Sequence, residues 1–311
     1  MTAPDQPVVA GVDIGGTATR VVGWSAGRTV GDAVVSTSSI GQGEPARRVR
    51  ELWDLVRSVV PAGSAVEAIG IGASGPIDPA TGVILNWATL PWFSGFDLPS
   101  LLRSASGVPV VIENDAVAAA VGEHRVGAGK GARRMLLVTI GTGVGVAFID
   151  GGHPYRGADG GHPEGGHIGV TAETSSCYCG TVGCWEQSAS RTRLEAEIQS
   201  AGLSLSETSL VSAAAAARAG DAAAVAAFAA HGGRVGRGLA VLETVYGPTL
   251  TVLGGSVSEY LDLLLPGVEE SRARAPHFVT GEPIVAVRLG PLAGAIGAAV
   301  LAEEGSASPL N

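Results

Sequence analysis

Three short apolar segments of this chain each run directly into a glycine-rich loop, and this pattern constrains the fold more than any other. The loops are Asp13-Ile14-Gly15-Gly16-Thr17, Thr139-Ile140-Gly141-Thr142-Gly143 and Leu253-Gly254-Gly255-Ser256. Glycine permits positive φ and lets backbone N–H groups approach an anion closely. With 47 glycines among 311 residues, ordinary turns would explain one such loop. Three of them, two carrying a threonine hydroxyl, favour a phosphate-binding site.

The two common nucleotide-binding fingerprints are not met. A Walker loop needs Gly-Lys-Ser/Thr, and the only lysine, Lys130, is followed by Gly131. A dinucleotide-binding loop needs Gly-x-Gly-x-x-Gly, whereas Gly141-Thr-Gly143-Val-Gly145 has the wrong final spacing. The phosphate-binding hypothesis therefore requires a different α/β fold.

Apolar β-rich segments alternate with helical ones along the chain, which predicts an α/β architecture. Residues 8–14, 69–73, 108–112, 135–140 and 284–289 read as strands, and residues 19–24 as the hairpin partner of the first strand. Helices are expected from residue 191 to about residue 245, with Asp221 as an N-cap, and at residues 293–302. A length of 311 residues fits roughly two domains of about 150 residues. The polar tail from residue 303 onward is expected to fray.

The charge balance excludes some partners. There are 29 acidic and 20 basic residues, giving a net charge of −9, whereas a nucleic-acid binder usually carries a basic excess. The most apolar stretch, residues 213–230, is interrupted by charges and predicts no membrane span. No secretory signal precedes the first strand. We therefore expect a cytoplasmic protein without nucleic-acid or membrane partners.

The three cysteines lie within eight residues, as Cys177-Tyr-Cys179-Gly-Thr-Val-Gly-Cys184, and His167 precedes them. An odd number of clustered cysteines does not suit a disulfide scaffold. Three thiolates and one imidazole are the ligands of a closed tetrahedral zinc site. Three free buried cysteines are the alternative, but their spacing around glycines makes a structural Zn²⁺ site the stronger prediction.

Several polar residues occupy positions at which catalytic or substrate-binding groups are expected. Glu113-Asn114-Asp115 lies where a strand meets a helix, so these residues suit an N-cap, and Asp115 also suits a general base. Glu164 and Glu186 flank the predicted zinc site and can accept hydrogen bonds from the neighbouring hydroxyls of a sugar. A solvated surface position is the alternative for either glutamate.

These motifs together resemble the ROK family of sugar kinases, over almost the whole chain from Asp13 to about residue 302. The first two glycine loops are similar to the family's phosphate loops, and Glu113-Asn114-Asp115 is similar to its catalytic segment. Further resemblance lies in three motifs, Gly72-Ala-Ser-Gly75-Pro-Ile-Asp78, Glu164-Gly-Gly-His167 and Cys177-x-Cys179-Gly-x-x-Gly-Cys184-x-Glu186.

The resemblance implies a two-lobed actin-like ATPase fold of the hexokinase type, with a structural zinc site. The predicted smaller lobe comprises residues 1–118 and 293–311, and the larger lobe residues 119–292. The implied activity is ATP-dependent phosphorylation of a hexose, with a glucose-like O6 hydroxyl as acceptor. A homodimer is expected on the same ground.

The resemblance also assigns roles to residues. Asp115 is the general base; the phosphates of ATP contact Gly15, Gly16, Thr17, Gly141, Thr142 and Gly143, with Mg²⁺ near Asp13 and the adenine near Gly254 and Gly255. Sugar hydroxyls are expected to contact Asn114, Glu164, His167 and Glu186, together with Gly75 and Asn86. The zinc ligands are His167, Cys177, Cys179 and Cys184.

Departures from the family pattern leave alternatives open. Val117 replaces an asparagine, His162-Pro163 replaces Ala-Gly, and Arg191 replaces a glycine. A kinase for fructose, N-acetylmannosamine or an amino sugar such as kanosamine is one alternative, and polyphosphate is an alternative donor. A non-catalytic sugar sensor is another. Only 12 residues precede Asp13, so the DNA-binding domain of the family's repressors is not expected.

Overall fold

A computed structural model describes residues 7–172, 177–203, 209–274 and 282–307. The strands are β1 (Val8–Ile14), β2 (Ala18–Ser25), β3 (Arg28–Ser36), β4 (Val66–Ala73), β5 (Val110–Asn114), β6 (Arg134–Ile140), β7 (Val144–Asp150), β8 (His153–Pro154), β9 (Leu250–Gly254) and β10 (Ile284–Ala286). The helices are α1 (Thr37–Ile40), α2 (Pro45–Ser58), α3 (Leu98–Ser106), α4 (Asp115–Val126), α5 (Trp185–Ala189), α6 (Arg191–Ser200), α7 (Ser209–Arg218), α8 (Ala222–Tyr246), α9 (Leu261–Ala273) and α10 (Ala293–Ala307).

The chain divides into two compact units. The first contains the residues up to 131, residues 149–163 and the residues from 288 onward, and the second contains 132–148 and 164–287. These bounds differ from the lobes expected from the sequence, because residue 118 falls inside α4 and the whole of that helix belongs to the first unit. The C-terminal segment of the first unit also starts five residues before α10.

The first unit holds a five-stranded sheet in the order β3-β2-β1-β4-β5. β1 pairs antiparallel with β2, as the sequence predicted, and parallel with β4, which in turn is parallel to β5. α10 packs on this sheet at backbone distance, because a Cβ on Gly11 would lie 1.9 Å from the carbonyl oxygen of Ala295. The glycine is therefore a requirement of close helix–sheet packing.

The second unit contains a sheet in which β10, β9, β6 and β7 are neighbours. β9 lies parallel to both β6 and β10, and the helices α5 to α9 contribute to an apolar core. Trp185 is fully buried in that core, and its indole N–H donates to the Arg234 carbonyl at 3.0 Å. A Cβ on Gly238 would lie 2.0 Å from the Trp185 ring, so α8 accommodates this side chain only at a glycine.

Two sequence expectations differ from the observed ends of elements. The last strand stops at Ala286 instead of reaching residue 289. The segment from residue 303 is helical to Ala307, because Glu303 accepts from the Trp24 indole at 3.3 Å and Glu304 pairs with Arg125 at 2.7 Å. Side-chain contacts thus extend α10 beyond the apolar pattern, and residues 308–311 lie outside the described part.

Within the described residues, no single helix has both the length and the apolar composition needed to cross a membrane. One bent pair, Leu210–Arg218 with Ala222–Tyr246 at 111°, meets the criterion jointly by length and composition alone.

Candidate active site and metal centre

The polar residues of the first unit gather at the carboxyl ends of three adjacent parallel strands. The register pairs Ile14 with Ala73, and Ala73 with Asn114, so the residues that follow β1, β4 and β5 emerge at one edge of the sheet. This is the edge at which open α/β sheets bind ligands. The first glycine loop, Gly75 and Asp115 are brought together here.

Asp115 is the first residue of α4 and is half-buried. Its Oδ1 accepts from the Ala116 N–H at 2.8 Å, and its Oδ2 accepts from the Ser74 hydroxyl at 2.7 Å. Both carboxylate oxygens are therefore oriented by donors of the same unit, which fixes the side chain that the sequence assigned as general base.

Asn114 caps α4, as one of the two sequence-based interpretations expected. Its Oδ1 accepts from the N–H groups of Ala116 at 2.9 Å and Val117 at 3.2 Å. Its Nδ2 faces Gly75, where an added Cβ would lie 3.2 Å from that nitrogen. The cap thus uses the oxygen, and the amide nitrogen remains the atom for the predicted sugar contact.

The Asp13 carboxylate lies at the end of β1 with Arg20 as a distant partner, 3.8 Å away. Burial, together with the charge of Asp115, raises the pKa of Asp13 to about 7 against the opposing effect of Arg20. An incompletely neutralised carboxylate in this position suits a nearby cation. In the loop that follows, Gly16 and Thr17 are exposed, and the Thr37 hydroxyl donates to the Gly15 carbonyl at 2.6 Å.

Asn86 is bound to the loop after β4. Its Nδ2 donates to the Gly75 carbonyl at 2.7 Å and to the Thr89 hydroxyl at 2.6 Å, and its Oδ1 accepts from the Thr89 N–H at 3.0 Å. The structure therefore shows Asn86 bracing Gly75, and the predicted contact of either residue with substrate stays a prediction.

Two further side chains approach this edge. Arg156 was not recognised from the sequence as a site residue, whereas His162 was noted there as a departure from the family pattern near the sugar-binding segment. Arg156 forms an ion pair with Glu113 and donates to it with a second nitrogen at 3.2 Å. His162 lies beside Gly75, with its Cε1 3.8 Å from the position of an added Cβ. Both belong to the irregular segment 151–163, in which residue spacing carries no structural signal.

In the second unit the loop Gly141–Gly143 is closed by the residues that follow α5. Gly141 N–H donates to the Gly143 carbonyl at 2.9 Å, and its own carbonyl accepts from Arg191 N–H at 2.8 Å. Glu186 Oε2 accepts from Val144 N–H at 3.1 Å, and a Cβ on Gly143 would lie 2.6 Å from that oxygen. Thr142 is exposed at the tip of the loop.

The third glycine loop lies against the same strand end. Gly254 ends β9, and Gly255 follows at φ +74°, a conformation that favours glycine. A Cβ on Gly255 would lie 2.3 Å from the carbonyl oxygen of Ile140, the last residue of β6. The two loops of this unit are thus neighbours, as parallel strands β6 and β9 require.

The predicted metal ligands converge. One donor atom from each of the four residues lies within 4.8 Å of every other, and His167 Nδ1 is 3.4 Å from Cys184 Sγ and 3.8 Å from Cys177 Sγ. The cysteines form no disulfide. Zinc binds thiolate and imidazole at about 2.0–2.3 Å in a tetrahedron, so this donor set and spacing fit the ion. Hydrogen bonds from Thr181 lower the pKa of the Cys179 thiol to about 6, which favours the ligating thiolate.

The His167 ring has a second polar contact. Its Nδ1 faces the cysteines, while its Nε2 is 2.9 Å from the Tyr178 hydroxyl. Burial, followed by the charges of Glu186 and Glu164, raises the pKa of Tyr178 to about 12. The charges of Glu164 and Glu186 therefore act on the hydroxyl that His167 contacts, and these are the three residues predicted to bind sugar in this unit. One imidazole can serve both predicted roles because each role uses a different nitrogen.

Ser74 and Tyr178 are contact residues that the sequence interpretation missed. Each lies inside a motif that was recognised, but at a position treated as a spacer. The signal for Ser74 was available, because it follows β4 as Asp115 follows β5. The contact of Tyr178 depends on the path of an irregular segment and had no such signal.

Comparison with known proteins agrees with this geometry. The model of the ROK family matches residues 9–305. A glucokinase of Streptomyces coelicolor is 32% identical over 262 residues, covering 78% of this chain and 82% of that enzyme. The structure of a ROK family glucokinase from Streptomyces griseus with glucose and AMPPNP superposes with a TM-score of 0.80 at 33% identity, over 96% of this chain and 100% of that one.

A regulatory protein is also among the relatives. The xylose repressor of Bacillus subtilis is 30% identical over 201 residues, which cover 63% of this chain and 50% of the repressor. The family model nevertheless spans all three glycine loops, the Asp115 segment and the cysteine motif. The fold is that of ROK sugar kinase structures, and the chain belongs to the ROK family.

Proposed function

We propose that this protein is an ATP-dependent hexose kinase that transfers the γ-phosphoryl group to a sugar hydroxyl, with O6 of a glucose-like sugar as the acceptor. The observation that carries the proposal is the placement of Asp115, a carboxylate oriented by Ser74 and Ala116 beside a glycine loop. The glucokinase relatives support the same reaction. A cytoplasmic location follows from cysteines that suit a metal and not disulfides.

Asp115 acts as the general base. The attacking hydroxyl would donate to a carboxylate oxygen at about 3 Å, and the proton passes to Asp115 as the oxygen–phosphorus bond forms. Phosphoryl transfer asks the protein mainly for positioning and charge neutralisation. The fixed Asp115 carboxylate would position the attacking hydroxyl, and no covalent intermediate with the protein is required.

The loops after β1 and β6 hold the phosphates in this proposal. Backbone N–H groups at Gly15, Gly16, Gly141 and Gly143 and the hydroxyls of Thr17 and Thr142 supply the donors, and the adenine lies near Gly254 and Gly255. Asp13 would hold Mg²⁺ through water, since a hard cation prefers carboxylate and water oxygens. The cation supplies positive charge that neutralises the phosphates. Its fit rests on the largely buried Asp13 carboxylate, which Arg20 neutralises only from 3.8 Å.

Zn²⁺ would be held by His167, Cys177, Cys179 and Cys184 as a structural ion, because all four positions of a tetrahedron are filled by protein. It supplies a covalent-like cross-link to a segment that has little regular structure. Cys184 directly precedes α5, and α5 carries Glu186, which contacts Val144. Ligation by these four residues would thereby anchor the helix whose Glu186 supports the second phosphate loop.

Sugar recognition is assigned to Asn114, Glu164, His167 and Glu186, with Gly75 and Asn86 shaping the loop after β4. A site built from such groups rejects a sugar that lacks one hydroxyl by roughly 10⁴-fold, since a buried polar group is then left unpaired. His162 beside Gly75 favours a second candidate function, a kinase for another hexose or an amino sugar. A homodimer is proposed on family grounds.

A coupled ADP-release assay with Mg-ATP tests the proposal. The panel contains glucose, fructose, mannose, N-acetylmannosamine, N-acetylglucosamine, glucosamine and kanosamine. In a parallel series polyphosphate replaces ATP, and the sugar phosphate itself is detected, because that donor releases no ADP. Turnover with glucose supports the proposed substrate, and turnover with another sugar alone supports the second candidate. Sugar binding by calorimetry without turnover on any donor contradicts the kinase and favours the sensor.

A further inference from the structure

We propose that Ser74 is a positioning residue for the general base, and this inference rests on the proposed function. Its hydroxyl donates to Asp115 Oδ2 at 2.7 Å, and this hydrogen bond is a direct contact between the two side chains. A hydrogen bond of this length to an ionised acceptor is about twice as strong as one between neutral groups. The residue would hold Asp115 in the orientation that receives the substrate proton.

The juxtaposition is built into the sheet. β4 and β5 are parallel, and their register pairs Ala73 with Asn114. Ser74 and Asp115 are the next residues along the two strands, so they emerge side by side at the same edge. The contact therefore depends on strand register and not on the chance approach of two loops.

Ser74 is itself held on both sides. Its N–H donates to the carbonyl of Ile14 at 3.4 Å, and its carbonyl accepts from Asn86 Nδ2 at 3.3 Å. The same amide group donates to the next carbonyl, that of Gly75. Because the backbone is braced from β1 and from the loop at Asn86, the hydroxyl is presented to Asp115 from a fixed position.

The two donors to Asp115 differ in what they can do during turnover. The Ala116 N–H at Oδ1 can only donate, whereas the Ser74 hydroxyl can donate or accept. A carboxylate has about four acceptor sites, so both oxygens keep a lone pair for the sugar hydroxyl. When the sugar proton moves to Oδ2, the serine hydroxyl can rotate and accept a hydrogen bond from the protonated carboxyl. The contact is nevertheless stronger with the ionised carboxylate, because the hydrogen bond is then charge-assisted.

The first test measures the titration of Asp115 and needs no turnover. Carboxyl ¹³C shifts are followed by NMR in the wild type, Ser74→Ala and Ser74→Thr, with the Asp115 signal assigned by its loss in Asp115→Asn. The charged groups nearby are Asp13 in β1, Arg20 in β2, and the pair of Glu113 with Arg156, and all of them are unchanged.

Removing a donor to the ionised form raises a carboxyl pKa. We expect the titration midpoint of Asp115 to rise by about one pH unit in Ser74→Ala and to stay near the wild-type value in Ser74→Thr, which keeps the hydroxyl. An unchanged midpoint in folded Ser74→Ala overturns the proposal. If Ser74→Ala does not fold, Ser74→Cys takes its place, because a thiol of similar size is a weaker donor.

The second test is kinetic. We expect Ser74→Ala to lower kcat by about 10- to 100-fold, to leave the KM for ATP near its wild-type value, and to move the acidic limb of kcat/KM to higher pH. Ser74→Thr restores both values. A purely structural serine would change the melting temperature without moving the pH profile.

The Asp115→Asn variant distinguishes a failure of the proposed kinase function from a failure of the role proposed for Ser74. If that variant keeps substantial turnover, the general-base assignment in the proposed function fails. If it is inactive while Ser74→Ala retains full kcat, only the role of Ser74 fails. A shifted Asp115 titration in a protein that phosphorylates no sugar supports the serine contact and contradicts the kinase.

Discussion

The two units hold their candidate functional residues by different means. In the first unit, Ser74, Asn114 and Asp115 are placed by strand register and by the start of a helix. In the second, Glu186 stands on α5, a helix of only five residues that follows Cys184. Short helices have little stability of their own. The first site is therefore a product of regular structure, and the second depends on cross-links at the two ends of a short element.

The ends of α5 show what those cross-links are. At its start lies the cluster of three cysteines and His167. At its end the Ala189 carbonyl is 3.1 Å from Nε2 of His231, a fully buried side chain whose Nδ1 is 3.3 Å from Glu197. The cluster of metal-ligating side chains and a buried hydrogen-bond network take the place of helix length. Perturbing either end should act on the second unit and spare the Asp115 geometry.

The largest effect on activity is expected at Asp115. Asp115→Asn removes the proposed base but keeps the size of the side chain and an oxygen that can accept from Ala116 N–H, so kcat should fall by about 10²–10⁴-fold while sugar binding by calorimetry persists. Asp54→Asn on α2, where the carboxylate is exposed, is the matched control, and it should keep both wild-type turnover and wild-type sugar binding. Turnover near the wild-type rate in Asp115→Asn would remove this residue from the base role.

Loss of the metal should have the largest effect on stability. Metal analysis is expected to find about one zinc per chain, and Cys184→Ser should lose it and lower the free energy of unfolding by several kcal/mol, on the order of 10 °C in Tm. Val182→Ala, in the same loop but two-thirds exposed, keeps all four donor atoms and serves as the control. A stable metal-free wild type would contradict a structural ion.

A substitution that leaves the second unit unaltered can disturb the first. An added Cβ on Gly294 would lie 2.9 Å from Cγ of Asp13, so Gly294→Ala should displace that carboxylate, cost about 1–3 kcal/mol and raise the KM for Mg-ATP. Gly305→Ala lies on the same helix with 3.8 Å to its nearest neighbour, and there the higher helix propensity of alanine should add about 0.5–1 kcal/mol. Equal stability of the two variants would argue against the close approach.

The smallest predicted effect is the pH dependence of the network at the end of α5. Burial raises the pKa of Glu197, but hydrogen bonds from His231 and Arg193 outweigh it and leave the pKa below its usual 4.5. Because the folded-state pKa is lowered, the stabilisation is present above about pH 4.5 and is lost as the pH falls through the folded-state value.

Glu197→Gln should therefore lower the free energy of unfolding by about 1–2 kcal/mol at pH 7 and by progressively less in acid. Glu195→Gln, on the same helix and paired with exposed Arg191, is the control and should change the free energy of unfolding by less than about 0.5 kcal/mol. Urea unfolding at pH 7 and pH 4 measures both. A difference between wild type and Glu197→Gln that is independent of pH would refute the assignment.

The predictions from sequence were confirmed where hydrophobic periodicity, capping residues and motif spacing determine the local structure. The buried strand β1, its hairpin partner β2, the cap at Asn114 and the cap of α8 by Asp221 all follow from local chemistry and were found where expected. Convergence of the four metal donors followed from their spacing. These are features in which nearby residues determine one another.

The rest depended on contacts between distant residues. The approach of Arg156 to Glu113 spans 43 positions, and that of Glu186 to Val144 spans 42 positions, with irregular segments between them. Neither hydropathy nor spacing encodes such a path. The two compact units differ in their bounds from the expected lobes for a related reason, since α4 continues past residue 118 as a single buried helix.

The packing of α10 against Gly11 has a consequence for synthesis. The first unit starts with β1 but includes a helix made after every residue of the second unit. On the ribosome, the sheet that carries Asp115 lacks α10 until residues 164–287 have been synthesised. The face of β1 at Gly11, on which the Ala295 backbone packs in the folded protein, lacks this cover until α10 is made. A nascent chain arrested before residue 293 should therefore expose the sheet to proteases and chaperones, and release through α10 should end that exposure.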